Sequence, residues 1–279
     1  MATSGFEGDL KMDILATQSL TRRFGNILAV DRATLSVPEG EVFGLLGRNA
    51  AGKSTLIKML TTLLPPTSGS ATVAGFDIVR QAAQVRRVIG YVPQALSADG
   101  ELTGYENLDI FARLYDIPRS TRKARIQEGL AFMDLNDAAD RLVSTYSGGM
   151  IRRLEIAQSM LHRPRLLFLD EPTVGLDPVA RETVWRHIEQ LRSSFGMTIF
   201  LTTHYMDEAE KLCSRVAIMR RGAIVVAGTL DELYADMARQ GHPEATLEDV
   251  FARYTDDKLE SEGGYRETAD TRRTAKRLG

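Results

Sequence analysis

Residues 47–55 read GRNAAGKST, two glycines with four residues between them, then a lysine and two hydroxyl side chains. The stretch follows an apolar run, EVFGLLG (41–47), and leads into a helix-like run. A loop of this kind must sit between a buried strand and a helix N-terminus, which points to an α/β layered fold. Gly47 and Gly52 let the backbone curl so that several N–H groups converge on one anion. The following helix adds partial positive charge at its start. Lys53 supplies a full charge for the β- and γ-phosphates of a nucleotide, Ser54 a hydroxyl ligand for Mg²⁺, and Thr55 a hydroxyl for a phosphate oxygen. Arg48, Asn49, Ala50 and Ala51 complete the loop that lines the phosphates.

Three further apolar runs read as buried strands: RLLFLD (165–170), TIFLTT (198–203) and RVAIMRRGAIVVAG (215–228). Near-continuous apolar runs suit a parallel sheet covered on both faces. Asp170 ends one of them, so its carboxylate falls at the C-terminal edge of the sheet, beside the phosphate loop. There it can hold Mg²⁺ through a water. Glu171 is expected to point elsewhere, because side chains alternate along a strand, and to polarise an attacking water. His204 ends TIFLTTH (198–204) at the same edge, where a γ-phosphate contact outweighs a purely structural histidine. Gln94, in GYVPQ (90–94), is within reach of Mg²⁺ or water, or is an ordinary loop residue.

The segment 95–163 differs from its flanks. GYENLDIFARLYDI (104–117) and STRKARIQEGLAFMDL (120–135) repeat apolar residues at helical spacing, with Pro118 between them, and predict a helical insertion between strands. PTSGSATVAGFDI (66–78) reads as a turn into a more exposed β-segment. The folded ATPase-type domain is expected over 14–233, after a disordered lead at 1–13. A short helical extension follows at 234–255, where Thr246 and Asp249 form a possible capping box. Residues 256–279 read as a charged, disordered tail whose end, TRRTAKRLG, is either solvated or a contact for anionic lipid or a partner.

The totals exclude several classes. Apolar residues make up 43% of the 279, enough for a sizeable core, and the formal net charge of −2 gives no basic field for nucleic acid. The single cysteine, Cys213, allows no internal disulfide and fits a reducing compartment. No apolar run reaches the roughly 18–20 residues that span a bilayer. The start, MATSGFEGDLKMD, lacks the order of a secretory signal.

Between the insertion and the acid-ended strand lies STYSGGMIRRLEIA (144–157). By itself the Ser147–Gly148–Gly149 triplet is a turn before a helix or a backbone grip on an anion. GRNAAGKST, YVPQ, YSGGM, LLFLDEP, GLDP (175–178) and TTH, in this order, are similar to the motifs of the ATP-binding-cassette (ABC) ATPases over about 14–233. The resemblance implies an α/β P-loop NTPase sheet with an antiparallel β-subdomain and a helical signature subdomain. It implies ATP and Mg²⁺ as ligands and a working unit of two copies. Ser147, Gly149 and the helix from about Met150 would then face the ATP of the second copy, and Asp177 would cross-link the two sites. Gln94 would couple the nucleotide to the helical subdomain. Phe24 would stack on adenine, with Val30 packing nearby; a core aromatic is the other reading of Phe24.

Two positions depart from the common pattern. Ala50 stands where many members have Gly, and an extra methyl is tolerated there unless φ must be positive. Tyr146 and Met150 flank the SGG triplet where Leu and Gln are frequent. Within the family, EPTVGLDP, HYMDEAEKLC and the late TLEDVF look like the ATPase subunits of drug and lipid exporters, the daunorubicin-resistance type in particular. That implies ATP hydrolysis on the cytoplasmic side of a membrane, peripheral to a separate integral membrane subunit. The alternative is a soluble clamp acting on ribosomes or DNA. It lacks support here, since the chain shows neither a second cassette nor coiled coils.

Overall fold

A computed structural model describes residues 13–255. They divide into two units between Thr229 and Leu230. Of the expected lead at 1–13, residues 1–12 lie outside the described residues, as does the expected tail at 256–279, and Asp13 already belongs to the first strand.

The first unit begins with two long strands, β1 (Asp13–Phe24) and β2 (Ile27–Pro38). After β3 (Val42–Leu46) and the phosphate loop comes helix α1 (Lys53–Leu60). Strands β4 (Ser68–Val73) and β5 (Phe76–Asp77), helix α2 (Ala82–Val88) and strand β6 (Ile89–Val92) follow. Three helices intervene, α3 (Gly104–Leu114), α4 (Arg119–Phe132) and α5 (Gly148–Met160). The unit closes with β7 (Leu166–Asp170), α6 (Pro178–Phe195), β8 (Thr198–Thr203), α7 (Met206–Leu212), β9 (Arg215–Arg220) and β10 (Ala223–Thr229).

One sheet has the order β2-β1-β4-β5 and is antiparallel. Periodicity alone does not single out β1 and β2. Ser19 and Arg32 adopt left-handed φ of 47° and 44°, and the register shifts beside them break the alternation of apolar residues. The other sheet has the order β10-β9-β3-β8-β7-β6. Its inner strands β3, β7 and β8 are parallel and buried at every position, as their unbroken apolar runs require. Phe43 stacks on Phe200 at 5.2 Å, and Phe168 packs on Phe200 at 5.5 Å, across three adjacent strands.

The run 215–228 is not one buried strand. Arg221 and Gly222 take φ of 48° and 87°, the paired positive values of a tight hairpin turn, and fold β10 back antiparallel onto β9. That leaves β10 at the sheet edge with exposed positions.

Helices α3, α4 and α5 fill the segment between β6 and β7. Helix α3 opens with a true capping box: Thr103 Oγ1 accepts from Glu106 N at 3.2 Å, and the Glu106 carboxylate accepts from Thr103 N at 2.8 Å. Pro118 stands at the N-cap of α4.

The second unit contains α8 (Leu230–Arg239) and α9 (Leu247–Thr255). Its boundary falls four residues before the expected break at 233, because Leu233 and Met237 bury one face of a single continuous helix. The box before α9 is formed: Thr246 N donates to Asp249 Oδ2 at 2.9 Å, and Asp249 N to Thr246 Oγ1 at 3.3 Å.

Candidate nucleotide site

The loop at 47–55 is tightly held by the chain around it. A Cβ at Gly47 would approach the Met219 carbonyl to 2.7 Å, and one at Gly52 would collide with the Ala29 carbonyl. Gly52 also takes φ 108°, which only glycine adopts freely. Gly222 N donates to Ala51 O at 2.9 Å, so the β9–β10 turn braces the loop from outside. Ala50 has φ 65°. The methyl that departs from the common glycine therefore sits in the conformation that penalises it. Lys53 is buried, and its Nζ donates to the Gly47 carbonyl at 2.8 Å and the Arg48 carbonyl at 3.3 Å. Arg48, Asn49 and Ala50 are exposed, and Ser54 and Thr55 are half-buried at the helix start.

Asp170 and Glu171 both reach this loop, by different routes. Asp170 ends β7 opposite Thr202 of β8. Its Oδ1 accepts from Thr202 Oγ1 at 2.6 Å and from Ser54 Oγ at 3.3 Å. Strand alternation does not set Glu171, contrary to the sequence expectation. The strand stops at Asp170, and Glu171 takes φ 50°, which turns its carboxylate back toward Lys53. Thr202 Oγ1 accepts from Glu171 N at 3.0 Å and so fixes both acids. Glu171 Oε1 lies 3.1 Å from Lys53 Nζ, Oε2 lies 3.2 Å from His204 Nδ1, and Gln94 Nε2 donates to Oε2 at 3.5 Å. Side chains from three other stretches of chain thus meet on one carboxylate. Burial, with the charge of Asp170 adding to it, pushes the neighbouring Tyr91 phenol up to about 12.

The SGG triplet is a helix cap. Ser147 Oγ accepts from Met150 N at 3.3 Å, Ser147 and Gly148 are exposed, and α5 runs on from Gly148. Gly149 is buried, and a Cβ there would come within 2.8 Å of Ala180 Cβ on α6. Tyr146 anchors the approach, its Oη donating to Ala138 O at 2.6 Å. Asp177 caps α6, Oδ1 accepting from Ala180 N at 2.9 Å, with Pro178 in the first turn.

Residues 30–174 match the family model described as ABC transporter. The chain belongs to the ABC transporter family. It is 38% identical over 251 residues to the "Probable multidrug ABC transporter ATP-binding protein YbhF" of Escherichia coli, covering 90% of this chain and 43% of that protein. It is 44% identical over 215 residues to "Daunorubicin resistance ATP-binding protein DrrA3" of Streptomyces coeruleorubidus, covering 77% of this chain and 68% of that one. The chain therefore spans less than half the length of the Escherichia coli relative and about two thirds of the Streptomyces one. A solved structure of an ATP-binding subunit of an ABC transporter superposes with a TM-score of 0.77 at 28% identity, over 87% of this chain and all of that one.

Two site residues proposed for adenine behave differently in this ABC fold. Phe24 is not a core aromatic: it is 44% exposed, with the Arg22 guanidinium 4.5 Å above its ring. Val30 is fully buried in the hydrophobic core.

Sequence reasoning missed the residues that tie these parts together. Arg152 on α5 donates to the carbonyls of Pro93 at 2.7 Å and Gln94 at 2.8 Å, and pairs with Glu155 at 3.0 Å. Glu155 in turn holds Ser97, so the Gln94 loop is strapped to the helix that begins at the SGG cap. Burial pulls the Arg152 guanidinium down, and the charges of Glu155 and Asp170 pull it back up. Thr202, Thr173, Trp185 and Glu208 are likewise buried. Charged or hydrogen-bonding residues inside otherwise apolar helices and strands were the available signal for those on regular elements.

Oxygen ligands suit Mg²⁺, and the Ser54 hydroxyl beside the Asp170 carboxylate fits it. Among the described residues no group of three or more His, Cys, Asp or Glu side chains could hold a metal ion. A Mg²⁺ that leans on substrate phosphates and water needs no such cage. No helix among the described residues is long and apolar enough to cross a membrane.

Proposed function

We propose that the chain is the ATP-binding and ATP-hydrolysing subunit of a transporter. In this reading two copies close on two ATP and drive a separate integral membrane subunit from the cytoplasmic face. The observation that carries it is the convergence of Lys53, Gln94 and His204 on Glu171 beside the phosphate loop.

Lys53 leaves Glu171 for the β- and γ-phosphates, and the freed carboxylate accepts a proton from the attacking water. His204 contacts the γ-phosphate, and Gln94 holds water or metal at the same edge. When bound, Mg²⁺ neutralises charge on the phosphates; Ser54, and Asp170 through a water, are the residues that would hold it. Phe24, exposed at the surface, stacks on adenine. Ser147, Gly148, Gly149 and Met150 face the ATP of the other copy, and Asp177 links the two sites. The exposed Ser147–Gly148 cap at the start of α5 supports this, since such a helix start attracts a phosphate. Likeness to relatives named as a multidrug transporter and a daunorubicin resistance protein supports a drug-like compound as the exported cargo, and the lipid-like class rests on the motif resemblance.

Tagged Glu171→Gln protein, loaded with ATP and recovered from detergent-solubilised membranes, tests the assignment. A multi-helix membrane protein in stoichiometric amount is the expected partner. Recovery of ribosomal or DNA-bound proteins instead would overturn it.

A further inference from the structure

Glu208 lies on α7, four residues after His204, and is fully buried. Its Oε1 accepts from Thr173 Oγ1 at 2.7 Å and from Trp185 Nε1 at 2.9 Å. Its Oε2 is buried, and the Thr203 hydroxyl, beside His204, joins Thr173 and Trp185 in favouring the charged carboxylate. Thr173 stands two residues after Glu171, and Trp185 lies on α6, the helix capped by Asp177. One carboxylate thus joins three segments, and each carries a residue of the proposed site.

Glu171 is held by Thr202 and Lys53 at one end of the segment from Glu171 to Asp177, and Asp177 caps α6 at the other. The segment's internal bonds are short-range: Val174 N to Glu171 O at 3.3 Å, and Leu176 N to Thr173 O at 3.2 Å. A second strap runs beside the first. The Arg181 guanidinium of α6 lies 4.4 Å over the Tyr205 ring and 3.4 Å from Asp207. A carboxyl group is a costly way to make a buried link, because an acid removed from water needs partners on both oxygens. Burial raises the Glu208 carboxyl above the usual carboxylate range. The neutral amide of glutamine, which keeps one carbonyl oxygen, therefore reproduces the contacts that matter.

We infer that Glu208 is a positioning residue for ATP hydrolysis, holding the Glu171–Asp177 segment against the His204 helix through Thr173 and Trp185. The inference rests on the ATPase reading above.

The test uses the full chain and measures ATPase kcat, KM for MgATP and the emission of Trp185, the only tryptophan. Glu208→Gln is expected to keep kcat within about twofold of wild type. Glu208→Ala and Thr173→Val are expected to lower kcat about tenfold with KM nearly unchanged. The double variant is expected to be no slower than Glu208→Ala alone, since both break one link. Emission of Trp185 shifts in Glu208→Ala and not in Glu208→Gln. Wild-type kcat in Thr173→Val, or losses that multiply in the double variant, would overturn the inference and leave the ATPase reading standing. Thr173→Val removes a single hydroxyl, so it decides the matter even if Glu208→Ala does not fold. Absence of hydrolysis by the wild-type chain, alone and with its membrane partner, would remove both.

Discussion

Lys53 Nζ lies 3.1 Å from Glu171 Oε1, and both side chains are almost wholly buried. In the proposed reading, Lys53 exchanges this carboxylate for the phosphates of the nucleotide. Lys53→Ala should abolish measurable ATP binding. It should also cost about 3 kcal/mol of stability, since it leaves a buried carboxylate without its main counter-charge. Titration calorimetry with MgATP and urea unfolding check the two effects; unchanged ATP affinity would remove the phosphate-loop assignment.

Ala50 carries a left-handed φ of 65° in the same loop. An L-residue there costs about 1–2 kcal/mol, whereas glycine gives back part of the gain through its freer unfolded chain. Ala50→Gly should raise stability by up to about 1 kcal/mol without weakening nucleotide binding. A thermal melt without nucleotide reads this directly, and a lowered midpoint would contradict it.

A half-buried histidine, His162, and a buried one, His187, set an acid limit. Burial lowers both His162 and His187 below their ordinary 6.5. His162 stacks on Tyr115 at 3.8 Å, its Nε2 bonds Ile89 O at 2.8 Å, and its Nδ1 has no partner. His187 is near Asp134 at 3.2 Å, but that carboxylate is exposed and burial outweighs it. The unfolded chain takes up these protons first as pH falls. The stability held by the neutral rings is thus complete above about 6.5 and declines below it. Urea unfolding at pH 7.5 and 5.5 should show a drop, and His162→Phe should make the drop smaller.

Ser147 caps α5 in the isolated chain. Ser147→Ala should cost about 1 kcal/mol of stability even with no nucleotide present. An unchanged melting midpoint would mean that the hydroxyl serves only the second copy's ATP.

The phosphate loop, the inner strands and the acid-ended β7 were legible because each rests on local chemistry: glycines where the chain must curl, apolar runs where both faces are covered. The helical insertion was legible from spacing and from Pro118. Strands β1 and β2 were not, because bulges at Ser19 and Arg32 interrupt their period. The hairpin within 215–228 was hidden because Arg221, not a second glycine, takes its first left-handed position. Glu171 was expected to be set by strand alternation, but a positive φ, invisible in sequence, turns its carboxylate toward Lys53. For Arg152, Glu155 and Glu208 a charge within a helix was the only local signal, and nothing local names the distant residues they bond.

The most direct measurement is size-exclusion chromatography of Glu171→Gln with and without MgATP. With the carboxylate neutralised, Lys53 is free for phosphate and hydrolysis is stalled. The expected result is a species at about twice the 30.9 kDa chain mass with ATP and a monomer without it. A monomer under both conditions, with ATP bound, would contradict a composite site built from two copies.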